Sequence, residues 1–185
     1  MGVAPTLQAI TDKRPQLRLH LVGHSFGGRV VTAAAMATPG DPPTRVRSML
    51  LLQAALSHNG FAPELGGGRA GFFRDVIEGQ RLAGPIMATH TRNDRAVGPA
   101  YAIASRVAQD DASAIGDAND RYGGIGSNGA QNTPEHVNAT LANMSYQFSA
   151  GHIYNLQADA VISGHSEVGN LPTARVLLEA IEAVG

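Results

Sequence analysis

The chain has 185 residues and a net charge of -1, with 14 basic and 15 acidic residues scattered rather than blocked, which excludes the basic footprint that holds nucleic acid phosphates. It contains no cysteine, so disulfides, thiolate nucleophiles and thiolate-bound zinc are excluded together. The length fits one compact domain over 1–185. No stretch reaches the roughly 18 apolar residues of a membrane span, and the opening MGVAPTLQAITDKRPQ lacks the apolar core of a secretory signal; a cytoplasmic protein with no transmembrane segment is expected.

LRLHLVG (17–23) is rich in branched residues and ends in Gly, which predicts a buried strand, and FGGRVVTAAAMA (26–37) predicts a small-residue helix. The turn formers TPGDPP (38–43) lead to a second strand, RVRSMLLLQAAL (45–56), followed by the Gly-rich loop 59–71. FFRDVIEGQR (72–81) predicts a short helix, GPIMATHT (84–91) a third strand, and GPAYAIASRVAQ (98–109) a helix with Pro99 near its start. Residues 110–133 are polar and Gly-rich without periodicity and predict a flexible loop or lid. GHIYNLQADAVISG (151–164) supplies a last strand with its exit loop, and TARVLLEAIEAV (173–184) a closing amphipathic helix. The alternation predicts an α/β fold, a mostly parallel sheet with helices on both faces.

Between the first strand and the helix after it, GHSFGG places Gly23-x-Ser25-x-Gly27, the strand-turn-helix context of a nucleophile elbow. In so tight a turn Gly23 and Gly27 are both expected to be required because a side chain would strike backbone, and Ser25 is held in a strained conformation above the sheet edge. The Phe26 N–H then stands at the helix start, where a developing oxyanion would be stabilised. The alternative is a Gly-rich turn that merely opens a helix.

A serine hydroxyl needs a histidine to take its proton and a carboxylate to orient that histidine. Asp94 follows the third strand, on the edge where parallel strands also place Ser25; its other reading is a turn residue or helix cap. Asp75 falls inside a helix and Asp41 in a helix-to-strand loop on the opposite side. Of the seven histidines, His20 and His90 lie within strands, His24 in the turn and His136 at the start of a predicted helix, which leaves His58, His152 and His165. His165 alone lies past the last strand and before the last helix, on the edge of Ser25 and Asp94, with a surface loop histidine as the plainer reading. His152, before that strand, belongs to the opposite edge.

With Ser25, Asp94 and His165 in this order, the chain resembles the C-terminal part of a serine hydrolase of the α/β-hydrolase fold. LRLHLVGHSFGGRVV, GPIMATHTRNDRAVGPAY and VISGHSEV carry the likeness. It implies Ser25 as nucleophile, Asp94 as acid, His165 as general base, the Phe26 N–H as one oxyanion donor, a small-molecule ester or related acyl substrate, and no cofactor or metal. In that family several strands and the loop giving the second oxyanion donor precede the elbow, whereas 24 residues precede Ser25 here. A truncated domain, or a fragment completed by a partner chain or by self-association, is therefore expected. The rival is a noncatalytic domain of this fold that binds or scaffolds.

Ser57, His58 and Phe61 follow the second strand and are candidates for the substrate cleft, with simple loop filling as the alternative. GIGSNG (124–129) matches a dinucleotide-binding pattern by letters but follows no strand, and reads as part of the flexible loop. GHSEVG (164–169) repeats the first letters of the elbow but carries Val168 where the elbow has Gly27. It is expected to offer His165 alone, with Ser166 incidental and His24 only a turn residue.

Overall fold

A parallel strand covered on both faces must be apolar along its length, and β2 (Ser48–Leu52), buried at every position, lies inside the sheet of the computed structural model. The structure describes residues 2–38, 46–100, 122–142 and 145–184. Their order is α1 (Val3–Lys13), β1 (His20–His24), α2 (Phe26–Met36), β2, α3 (Asp75–Glu78), β3 (Ile86–His90), a wide helical turn (Ala96–Ala100), α4 (Ile125–Asn128), β4 (His136–Thr140), β5 (Ile153–Gln157) and α5 (Leu171–Ala183). The strands form a single five-stranded, all-parallel sheet in the order β1-β2-β3-β5-β4. The expected α/β architecture is observed.

Alternate side chains of β2 feed two cores. Met49 and Leu51 pack with Phe61, Phe73, Val76 and Ile125, whereas Leu50 and Leu52 pack with Met87, Leu156, Ile162 and Val176. One core joins α3, α4 and the loop after β2 to the sheet; the other joins α5 to the opposite face. Helices as short as α3 and α4, of four residues each, do not persist by propensity alone. Wholly buried side chains such as Ile125 and Val76, each worth about 1.5–3 kcal/mol, hold them in place.

Three expectations change. Residues 136–140 form an edge strand, so His136 begins β4 rather than a helix; the strand is exposed and polar, HVNAT, and its backbone is satisfied by pairing with β5, a contact its own letters do not announce. The part of the expected loop or lid that the structure describes, 122–133, is packed rather than loose. Ile125 and Ala130 are fully buried there, and a Cβ on Gly126 would stand 2.5 Å from the Gln53 backbone. Residues 101–109 of the expected helix and 110–121 of the expected loop lie outside the described residues. The predicted strand 45–56 is cut short at Leu52, because Gln53 turns to φ 43°. No helix among the described residues is long and apolar enough to cross a membrane.

All strands being parallel, the loops after β1, β3 and β5 emerge on the same edge of the sheet. That geometry brings distant segments of the chain together.

Candidate functional site

β1 ends at His24 and α2 begins at Phe26, so the reversal falls on Ser25 alone. Its backbone sits at φ 55°, ψ -127°, a conformation costing a side-chain-bearing residue about 1–3 kcal/mol. Neighbouring backbone enforces it: the Ser25 N–H donates to the Leu52 carbonyl (3.1 Å), and the Ser25 carbonyl accepts from the N–H groups of Ala55 (2.9 Å) and Gly28 (3.0 Å). The turn is thus stitched to the end of β2. A Cβ on Gly23 would stand 2.5 Å from the Gly27 carbonyl oxygen, and one on Gly28 would stand 2.4 Å from the Ala54 Cβ. Gly27 has nothing within 4 Å of such an atom. The steric demand therefore rests on Gly23 and Gly28, and the expectation that Gly27 is required is corrected: its missing side chain faces open space.

Asp94 reaches the same edge from the loop after β3. That loop is tethered by Asp159, which accepts from the Thr91 hydroxyl (2.8 Å) and from the Arg92 N–H (3.0 Å) and side chain (3.0 Å). Burial alone would raise the Asp159 carboxyl, but the Thr91 and Arg92 bonds prevail and hold it below the usual carboxylate range. The Asp94 side chain is fully buried. Its Oδ1 accepts from the N–H groups of Ala96 and Val97 (both 2.9 Å), while its Oδ2 accepts from His165 Nδ1 (2.8 Å) and Gln53 Nε2 (3.3 Å). Capping the following turn and holding a histidine are therefore compatible: each oxygen does one.

His165 completes the chain of bonds. With Nδ1–H donated to Asp94, its Nε2 carries the lone pair and accepts from the Ser25 hydroxyl at 2.9 Å. The imidazole is 24% exposed, so the ring is reachable from outside while its carboxylate partner is not. The three residues, 140 positions apart at the extremes, form a continuous Ser-His-Asp hydrogen-bond relay.

Two further residues of the site carry no motif. Gln53, wholly buried, donates to Asp94 Oδ2 and to the Gly126 carbonyl (2.9 Å) and accepts from the Thr89 hydroxyl (2.9 Å). His24 donates from Nε2 to the His165 carbonyl at 2.8 Å, with the two rings 4.8 Å apart. His24 is more than the turn residue expected of it.

The remaining candidates are placed as follows. Phe26 opens α2, so its N–H is among those left without an acceptor inside the helix, and its ring is 65% exposed beside Ser25. Phe61 is completely buried in the core with Phe73, and His58 is 1% exposed, its Nδ1 3.2 Å from Asn128 Nδ2. Neither offers surface to a cleft, because the loop after β2 folds inward; both fill the loop, which corrects their expected role. Ser57 is half-buried and accepts from the Asn59 N–H. Among the other histidines, His20 pairs with Ser48 Oγ at 2.8 Å, and burial lowers the pKa of His90 within β3. His152 precedes β5, on the far edge. GIGSNG is occupied by the protein itself, with Gly126 against Gln53 and Gly129 against the Asn155 side chain.

Fold and site together define a parallel α/β protein with a Ser-His-Asp relay at the C-terminal edge of its sheet. No protein-family model matches the chain, and no curated protein matches it either.

Proposed function

We propose that this protein is a serine hydrolase that cleaves an ester or related acyl bond of a small molecule through an acyl-enzyme. The observation that carries the reading is the relay of 2.9 Å from Ser25 Oγ to His165 Nε2 and 2.8 Å from His165 Nδ1 to Asp94 Oδ2. A histidine whose two nitrogens are bonded in that polarity can only take the serine proton at Nε2.

As Ser25 Oγ attacks the substrate carbonyl carbon, its proton passes to His165 Nε2, and the carbonyl oxygen becomes an oxyanion near the Phe26 N–H. The buried Asp94 carboxylate stabilises the imidazolium. Collapse breaks the bond to the leaving group, which takes the proton from Nε2 and departs as the alcohol. Water then gives its proton to Nε2, attacks the acyl-serine, and releases the acid with Ser25 restored. The strained backbone at Ser25 supports the reading as well, since such conformations persist where structure over-determines them and cluster at active sites.

Hydrolysis of chromogenic esters of graded acyl length tests the proposal. Turnover should vanish to background in Ser25→Ala and His165→Ala, and Asp94→Asn should lose about 10⁴-fold. Equal turnover in wild type and Ser25→Ala would refute it; no turnover of any ester by the folded protein favours a noncatalytic binding role instead.

A further inference from the structure

We propose that His24 is a positioning residue, which ties the turn bearing His165 to the end of β1 and so aims the imidazole at Ser25. The inference rests on the reading of Ser25 and His165 as nucleophile and base.

The His165 ring has bonds to make at both nitrogens, 2.8 Å to Asp94 and 2.9 Å to Ser25. Small displacement along either direction lengthens one of them. Yet the ring is carried by an exposed turn: Ser163, Ser166, Glu167 and Gly169 all face solvent. The flanks of that turn are fixed, with Asn93 Nδ2 donating to the Ile162 carbonyl (2.9 Å) and Asn170 Nδ2 to the Val161 carbonyl (3.2 Å). Within it, the Glu167 N–H donates to the Gly164 carbonyl at 3.2 Å, a bond that shapes the turn without attaching it to the sheet.

His24 supplies that attachment at the residue where it matters. Its Nε2 lies 2.8 Å from the His165 carbonyl. A carbonyl only accepts, so Nε2 of His24 bears the proton. The His24 ring also lies against the His165 ring, with centroids 4.8 Å apart and planes inclined by 39°, and limits its rotation. Because His24 is the last residue of β1, in register with Leu52, and immediately precedes Ser25, nucleophile and base are referred to the same rigid point. Movement of the elbow carries the histidine turn with it.

The test separates the hydrogen bond from ring packing. His24→Phe keeps a ring and removes the donor, whereas His24→Gln keeps a donor of similar reach and removes the ring. Two readouts are taken on each: the low-field proton resonance of His165 Nδ1–H, assigned by its loss in Asp94→Asn, and the rate of Ser25 modification by a fluorophosphonate. His24→Phe should broaden or abolish the resonance and slow modification about 10- to 100-fold, as misplacing a reacting group by about 1 Å does. Where turnover is measured, the loss should fall on kcat with KM little changed. His24→Gln should recover both resonance and rate. If His24→Phe does not fold, His24→Leu replaces it.

A folded donor-less variant with the wild-type resonance and rate would overturn the proposal, as would a Gln variant no better than Phe. The resonance decides the matter even if Ser25 never reacts: an unreactive wild type refutes the hydrolase reading, while resonance loss in Phe and recovery in Gln still establishes the positioning role.

Discussion

The two Gly-His-Ser stretches of this chain, 23–25 and 164–166, share their letters and are held in opposite ways. At Ser25 the restraint is backbone: three main-chain hydrogen bonds to Leu52, Ala55 and Gly28, and a Gly23 with no room for a side chain. At His165 the restraint comes largely from side chains, those of Asn93, Asn170 and His24, around an exposed turn whose Gly164 has only the Glu167 Cγ, 4.0 Å away, near an added Cβ. The elbow's position is therefore fixed by the fold, whereas the histidine turn is adjustable and depends on a few replaceable groups. A nucleophile held by rigid backbone and a base held by side chains leave the base as the member that substitutions outside the relay can misplace.

Several substitutions break or sharpen this contrast. The largest effect is on turnover: Ser25→Ala or His165→Ala should each cost about 10⁶-fold in kcat, and combining them should cost little more, because they act as a unit. Next is the backbone restraint. Gly23→Ala should destabilise by about 3 kcal/mol, at the upper end for overpacking because the atoms it meets are backbone, whereas Gly27→Ala, at an open helical position, should be neutral or up to about 1 kcal/mol stabilising; urea denaturation of both measures the difference. Gln53→Leu should cost about 1–3 kcal/mol by removing buried hydrogen bonds to the Gly126 carbonyl, which keeps only the Thr91 N–H, and from the Thr89 hydroxyl, and should lower kcat by removing one bond from Asp94.

A pH dependence follows from the loop after β3. The Asp159 carboxyl lies below its usual range in the folded protein, so its contribution is present above the unfolded value of about 3.9 and is lost as pH falls through the folded one. Asp159→Asn should therefore flatten the fall in stability below about pH 4, measured by thermal melting across that range. The smallest effect is expected at Ser166, exposed on the histidine turn, where Ala should change stability by no more than about 0.5 kcal/mol and leave turnover unaltered.

The parallel sheet was legible because β2 and β3 are short apolar runs bounded by turn residues, and the shared edge of Ser25, Asp94 and His165 follows from parallel strands once their order is known. What escaped was written in partners rather than in local pattern. β4 is polar, exposed and stabilised by β5. Gln53 reads as one more strand residue, and nothing in its neighbours signals a φ of 43° or a bond to Asp94. The glycines of 123–129 suggest looseness, but Gly126 is needed because the Gln53 backbone passes close by. By its letters His24 reads as part of the turn, although its position beside Ser25 is what allows it to reach the His165 carbonyl.

The central claim, that Ser25 is a nucleophile activated by His165, is tested most directly by treating the folded protein with a fluorophosphonate and locating the adduct by peptide mass spectrometry. The account predicts one phosphonyl group on Ser25 with loss of fluoride, absent in Ser25→Ala and formed far more slowly in His165→Ala. A folded protein that takes up no label, or one whose label persists in Ser25→Ala, would contradict it.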